Sequence, residues 1–194
     1  NIKKWLILGG SWGSTLALAY GIKHTKRCAG FILRGIFLGD TSELDWFLYG
    51  IRNIYPEPWK IFTGFLSKEE QKNLLDAYYW RLIDPDPLVL MPAAEAWSHY
   101  ERSCSVMLVD FKSINQPNGL ANNQILALAR IEAHYFKNGM FIKDGYLIRN
   151  IAAVCDTPVT IVQGRYDMIC PIVTADKLER TKDSENIFAI AGFG

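Results

Sequence analysis

The chain is short of everything that would mark a membrane, nucleic-acid or metal protein. No stretch of it approaches the about 18 consecutive apolar residues of a membrane-spanning helix, and no leader segment is read ahead of the first predicted strand. Charge of one sign is also missing. Lys plus Arg number 21 against 20 Asp plus Glu, a net charge of +1, so neither a nucleic-acid partner nor an acidic surface is expected. Cys28, Cys104, Cys155 and Cys170 are scattered, with no C-x-x-C and no Cys/His ligand spacing. Neither a metal site, a cofactor nor a disulfide framework is therefore expected, and a reducing cytoplasm is the natural location. Repeats and low-complexity tracts are absent as well. What is present is 194 residues, 49% apolar and 13% aromatic, enough for the core of one domain with an insertion.

The informative stretch runs over residues 5–20, Trp-Leu-Ile-Leu-Gly-Gly-Ser-Trp-Gly-Ser-Thr-Leu-Ala-Leu-Ala-Tyr. It reads as a buried apolar strand over 5–8, a turn of small residues, and a helix whose Leu16, Ala17, Ala19 and Tyr20 pack back on a sheet. Gly9-Gly10-Ser11-Trp12-Gly13 satisfies G-x-S-x-G, the nucleophile elbow of α/β-hydrolases. Gly-Gly-Ser alone also reads as a flexible turn, but the strand before and the helix after are the context the elbow requires. A serine on so sharp a turn needs glycines beside it, where side chains would strike the crossing backbone. Its hydroxyl then stands at a helix N-terminus, which favours the negative charge of a tetrahedral intermediate. Ser11 is the candidate nucleophile.

The helix is expected to run to about Lys26, followed by a strand over 28–38 ending near Gly35, so that strand, helix and strand form a parallel βαβ unit. Ligands of such sheets sit beyond the carboxyl ends of the strands, where Ser11 and the 35–39 segment fall. From Asp40 to about Gly145 the patterning is helical and rich in Trp, Tyr and Pro. Helices are predicted over 68–83, with Ser67 as N-cap and Glu70 three residues on, over 93–103 and over 122–136. An all-helical insertion between strands of such a sheet reads as a cap over the active site. The sheet resumes with a strand over 158–163, a helix from Pro171 to about Thr181 and a last strand over 186–190. The expected organisation is α/β, an α/β-hydrolase partial parallel sheet over 1–39 and 146–194 with a helical cap over 40–145.

A triad in this fold follows the order Ser, Asp or Glu, His. Asp167 lies just past a strand end, in a loop before a proline-initiated helix. It reads equally as the acid that orients a histidine and as the cap of that helix. The histidine is expected after the last strand, where the residue is Phe193. His24 lies ~13 residues along the helix from Ser11, roughly 20 Å at the helical rise. His99 and His134 precede Asp167 and fall in the predicted cap. Without a base, the Ser11 hydroxyl is a weak nucleophile.

Several segments, in order along nearly the whole chain, resemble the prolyl iminopeptidases, proline-releasing serine aminopeptidases of the α/β-hydrolase fold. They are residues 9–20, Leu33-Arg34-Gly35-Ile36-Phe37, Asp84-Pro85-Asp86-Pro87, Ala96-Trp97-Ser98 with Glu101, Ala129-Arg130-Ile131-Glu132 with His134-Tyr135-Phe136, and Val162-Gln163-Gly164-Arg165-Tyr166-Asp167 with Cys170-Pro171. The resemblance implies Ser11 as nucleophile and Asp167 as triad acid. It implies the backbone N–H of Trp12 in the oxyanion hole, Glu101 and Glu132 on the substrate's N-terminal amine, and Phe37, Phe47, Phe136 and Cys170 as walls of a proline pocket. The substrates implied are peptides with N-terminal proline. Read alone, each glutamate is as well explained as a solvated helix position. Spacing supports the pair, since Trp97 and Glu101, and Glu132 and Phe136, are i, i+4 neighbours, each setting one carboxylate beside one ring. Two carboxylates with apolar walls suit a protonated pyrrolidine.

The family's His-Gly-Gly-Pro-Gly oxyanion segment lies upstream of the elbow and is not found in this sequence. The chain opens at Asn1 and stops at Gly194 in what reads as an active-site loop, so the expectation is a piece cut at both ends and inactive by itself. An esterase or amidase of the same fold, or a non-catalytic binding protein retaining the cap pocket, are the alternatives.

Overall fold

The computed structural model describes residues 2–107, 122–181 and 187–192, the last six as backbone. In chain order the strands and α-helices are β1 (Trp5–Ser11), α1 (Trp12–Lys23), β2 (Cys28–Ile36), α2 (Thr41–Asp45), α3 (Pro56–Gly64), α4 (Leu74–Leu82), α5 (Pro87–Cys104), α6 (Asn122–Lys137), α7 (Tyr146–Arg149), β3 (Val159–Gly164), α8 (Ile172–Thr181) and β4 (Ile187–Gly192). They fall into two compact units, Asn1–Glu43 with Lys143–Gly194, and Leu44–Ile142. No helix among the described residues is long and apolar enough to cross a membrane.

The first unit is built on a parallel sheet in the order β1-β2-β3-β4. Parallel strands need both faces covered, and the apolar runs Phe31, Leu33 and Ile36 of β2 and Val159 and Ile161 of β3 are buried. Helix α1 packs on β1 and β2, and α8 on β2 and β3. Strand β1 departs from the expectation of a buried strand. It forms an edge of the sheet, and Leu6 and Leu8 are 61% and 77% exposed.

The segments by which the chain leaves and re-enters this unit are tied together. The Asp40 carboxylate, itself buried, accepts the Gly145 N–H at 2.7 Å and the Lys177 ammonium at 2.9 Å. Asp144 accepts the Thr41 N–H at 2.7 Å, and Glu43 accepts the N–H groups of Leu38 and Asp40.

The second unit is helical, with α3, α4 and α6 packed around α5. Its helix boundaries differ from the predicted ones for local reasons. Ser67 and Glu70 do form the reciprocal cap, each side chain bonding the other's N–H, but it opens a single 3-10 turn. The α-helix starts at Leu74 under a second cap, where Asn73 accepts the Asp76 N–H at 3.2 Å. Helix α5 starts six residues before the predicted 93, because Asp86 caps it and Pro87 sits at its favoured first position. Pro92 is absorbed within the helix rather than ending it.

Asp40→Ala is expected to lower the unfolding free energy by about 1–3 kcal/mol, the cost of stripping a part-buried amide and an ammonium of their acceptor. Lys177→Ala, at a half-exposed end of the same contact, is expected to cost less than about 1 kcal/mol. Urea denaturation of the two variants checks this, and equal midpoints for Asp40→Ala and the parent would refute it.

Candidate active site

Strand β1 ends on Ser11 with φ 53° and ψ −122°, and Trp12 begins α1. A non-glycine residue in that region is strained by about 1–3 kcal/mol and persists only where its surroundings over-determine it. Here the surroundings are backbone. A Cβ on Gly9 would lie 2.2 Å from the Gly13 carbonyl oxygen, so helix and strand meet with no room for a side chain at position 9. At Gly13 a Cβ would meet nothing. Of the two motif glycines, the first is required by contact and the second supplies the peptide that makes the contact. The turn is then tied to the strand beyond it. Ser14 Oγ donates to the Ser11 carbonyl at 2.6 Å and accepts the Phe37 N–H at 3.0 Å, while Thr15 Oγ1 donates to the Phe37 carbonyl at 2.7 Å.

Three strand ends converge beside this turn. Gly35, at φ +53°, is the point of convergence: a Cβ there would lie 3.5 Å from Asp167 Oδ2, 3.9 Å from Cys170 Cβ and 3.9 Å from Ser11 N. The structure shows Asp167 in a capping role. Its Oδ1 accepts the Cys170 N–H at 2.8 Å and caps the loop, and its Oδ2 faces the Gly35 and Ser11 side. Gln163, buried in β3, holds the loop to the neighbouring strand, accepting the Ile36 N–H at 2.8 Å and donating to the Cys170 carbonyl at 2.7 Å. Burial and the charge of Asp167 push the Cys170 thiol up to about 12 against a hydrogen bond with Ser11, so the thiol stays protonated. Phe37 is buried and meets Trp12 edge-on at 5.0 Å. The first unit thus gathers Ser11, Trp12, Phe37, Asp167 and Cys170, all five predicted residues that lie in it.

The second unit gathers the other four. Trp97, fully buried, donates its indole N–H to Glu132 Oε2 at 2.8 Å. Phe47 packs on Trp97 at 5.8 Å, on Tyr100 at 5.3 Å and on Phe136 at 5.9 Å, and Trp97 meets Phe136 at 6.0 Å. Glu132 is only 7% exposed. Glu101 lies half-buried and hydrogen-bonds to it. Burial, then the charge of Glu132, then that bond hold the Glu101 carboxyl well above the usual carboxylate range, at about 8. The i, i+4 spacing on α5 and α6 therefore sets two carboxyl groups together against an aromatic cluster.

Within the first unit, His24 does not join Ser11. His24 caps the far end of α1 against the Tyr20 ring at 4.8 Å, and His134 sits on α6 against Phe141 at 5.5 Å. His99 is on α5, between Trp97 and Glu101 in sequence, in the second unit. Phe193 lies outside the described residues. Among those residues no group of three His, Cys, Asp or Glu could hold a metal ion. Sequence reasoning did not single out Gln163 as the brace of the acid loop. A glutamine in a β-branched run was the available signal.

Comparison with known proteins agrees with this geometry. A family model described as alpha/beta hydrolase fold matches residues 1–193. The chain is 39% identical to a Leptolyngbya boryana protein named "Probable proline iminopeptidase", over 100% of this chain and 60% of that protein. It is 40% identical to the proline iminopeptidase of Arabidopsis thaliana, covering 93% of this chain and 48% of the relative. It is also 40% identical to the proline iminopeptidase of Neisseria gonorrhoeae, covering 93% and 57%. The chain thus spans about half to three fifths of the length of these curated relatives. With a strained serine between a parallel strand and a helix, an aspartate on a later strand end and a family match across nearly its whole length, the chain belongs to the α/β-hydrolase fold family.

Proposed function

We propose that the chain is part of a serine aminopeptidase which, as the intact protein, releases proline from the N-terminus of peptides through an acyl-enzyme on Ser11. The observation that carries this reading is the Glu101–Glu132 pair within an aromatic cluster, in a chain that also holds the elbow. An N-terminal proline presents a secondary ammonium with two N–H donors on an apolar ring. Two carboxylates supply the acceptors and aromatic rings the walls. The proline iminopeptidase names of relatives 39–40% identical support the same substrate.

In this reading the helical insertion over 40–145 is a cap on a core formed by 1–39 and 146–194. Ser11 attacks the carbonyl that follows the proline nitrogen, and the Trp12 N–H, at the start of α1, donates to the developing oxyanion. Asp167 Oδ2 orients the base, Glu101 and Glu132 hold the amine, and Phe37, Phe47, Phe136 and Cys170 enclose the ring. Water then releases the amino acid from Ser11. The base belongs after the last strand, at the position of Phe193. A cytoplasmic location is part of the proposal, supported by Cys28, Cys104, Cys155 and Cys170 all being free thiols.

The 194-residue chain is expected to hydrolyse prolyl-β-naphthylamide no faster than its Ser11→Ala variant, because a triad without its base retains only residual catalysis. Rapid turnover that Ser11→Ala abolishes would show that some other group serves as base. The amine assignment is checked by calorimetry. Glu132→Gln is expected to weaken binding of L-prolinamide about 10- to 100-fold, as expected for loss of a charged hydrogen-bond acceptor. N-acetyl-prolinamide, which has no cation, should bind the variant and the parent alike. An equal loss for both ligands would remove the glutamate pair from amine recognition.

A further inference from the structure

A buried tryptophan has one polar atom to satisfy, and that atom can only donate. Trp97 on α5 is fully buried, with Tyr78 at 5.5 Å, Phe47 at 5.8 Å, Phe62 at 5.9 Å and Phe136 at 6.0 Å around its ring. Its indole N–H crosses to α6 and ends on Glu132 Oε2 at 2.8 Å. In the same cluster the hydroxyls of Tyr78 and Tyr100 donate to the Phe62 and Phe47 carbonyls, at 2.8 and 2.7 Å. His99, two residues beyond Trp97 on α5, leaves the helix on a different side.

Energetics decide which of the two residues serves the other. A neutral acceptor satisfies a buried donor fully, as the Phe62 and Phe47 carbonyls do for the two tyrosines. A carboxylate only 7% exposed satisfies the indole too, but its desolvation costs more than one hydrogen bond returns. A glutamate placed only to complete the packing of Trp97 would therefore be a net loss. The bond makes sense in the other direction, with the tryptophan as a donor that a buried carboxylate needs. Because an indole N–H does not accept, the bond has one sense and favours the anion. Because the surrounding rings hold the indole in place, the bond also takes up the freedom of a long side chain before any ligand is present.

We infer that Trp97 is a positioning residue for amine recognition: its indole N–H holds Glu132 as an oriented anion before the ligand arrives. The inference rests on the assignment of Glu101 and Glu132 to the substrate amine and adds what prepares one of them. Being fully buried, Trp97 acts through Glu132 rather than by touching the ligand. Two effects on affinity oppose each other. The indole draws some negative charge from the carboxylate and so weakens each bond to a ligand a little. It also saves the ligand the cost of ordering and ionising that carboxylate, and in a buried site this second effect is the larger. Loss of the donor therefore lowers affinity for a cation and leaves a neutral ligand of the same shape unaffected.

The test begins with the parent chain at about neutral pH, where L-prolinamide is a cation. Proton–nitrogen correlation NMR reads the indole N–H groups of the six tryptophans, with the Trp97 signal assigned by its loss in Trp97→Phe. L-prolinamide is expected to shift that signal and N-acetyl-prolinamide to leave it in place. Calorimetry then compares the parent with Trp97→Phe and with a chain carrying benzothienylalanine at the same position, whose ring keeps the shape of indole with sulfur in place of the N–H. Both changes are expected to weaken binding of L-prolinamide about 10-fold, the loss of a hydrogen bond to a charged group. N-acetyl-prolinamide should bind all three chains alike. The benzothienyl ring preserves the packing, so its effect separates a lost hydrogen bond from a lost fold. Parent-like affinity of the benzothienyl chain for L-prolinamide, an equal loss for both ligands, or a Trp97 signal unmoved at saturation would overturn the positioning role and leave amine recognition in place. No binding of L-prolinamide to the parent would overturn both.

Discussion

The close approach of the Gly9 Cα to the Gly13 carbonyl is the contact on which the rest of the site depends. With no room for a Cβ at position 9, the chain turns from strand to helix within one residue, and Ser11 takes φ 53° as a result. The register of β1 on β2 slips at the same place, between Gly10 and Ser11, and the slip sets Ser11 opposite Ile36, next to Gly35. The second positive φ, at Gly35, keeps the space open toward Asp167. The strain of about 1–3 kcal/mol at Ser11 is held by Ser14 and Thr15, whose hydroxyls fasten the helix start to Phe37, and by Gln163, which fixes the acid loop to β2 and Cys170. Ser11 and Asp167 are thus positioned by buried hydrogen bonds between strand ends.

The second unit solves a different problem, that of holding carboxyl groups out of water. Phe62 is stacked between Tyr78 at 4.2 Å and Tyr100 at 4.3 Å, aromatic contacts worth ~0.5–1.5 kcal/mol each beyond burial. Their hydroxyls are satisfied on backbone carbonyls, Tyr78 on Phe62 and Tyr100 on Phe47. This rigid cluster fixes Trp97, and Trp97 fixes Glu132. A buried carboxylate costs several kcal/mol unless it is given donors. The indole supplies one such donor to Glu132.

The elbow was legible because its constraint is local. Glycine, serine and the following apolar helix lie within one short stretch, and the collision that demands Gly9 involves a residue four positions away. The i, i+4 pairing of Trp97 with Glu101 and of Glu132 with Phe136 was legible for the same reason, although spacing alone did not show that Trp97 would bond the glutamate on the other helix. Helix starts were read less well. Asn73 and Asp86 cap α4 and α5 at positions where Ser67 and Pro92 give competing signals. The bracing role of Gln163 was not legible, since it depends on a contact far away in the chain that leaves no period in the sequence. The roles proposed for Phe37, Phe47, Phe136 and Cys170 came from resemblance to a family, and burial alone would have assigned them to the core.

The central claim is the proposal that Glu101 and Glu132 together hold the substrate's ammonium. A crystal structure of the chain with L-prolinamide at about neutral pH tests it most directly. The account predicts the ligand nitrogen within hydrogen-bond distance of both carboxylates, with the Trp97 bond to Glu132 retained. A ligand bound elsewhere, or one whose nitrogen meets neither carboxylate, would contradict the account.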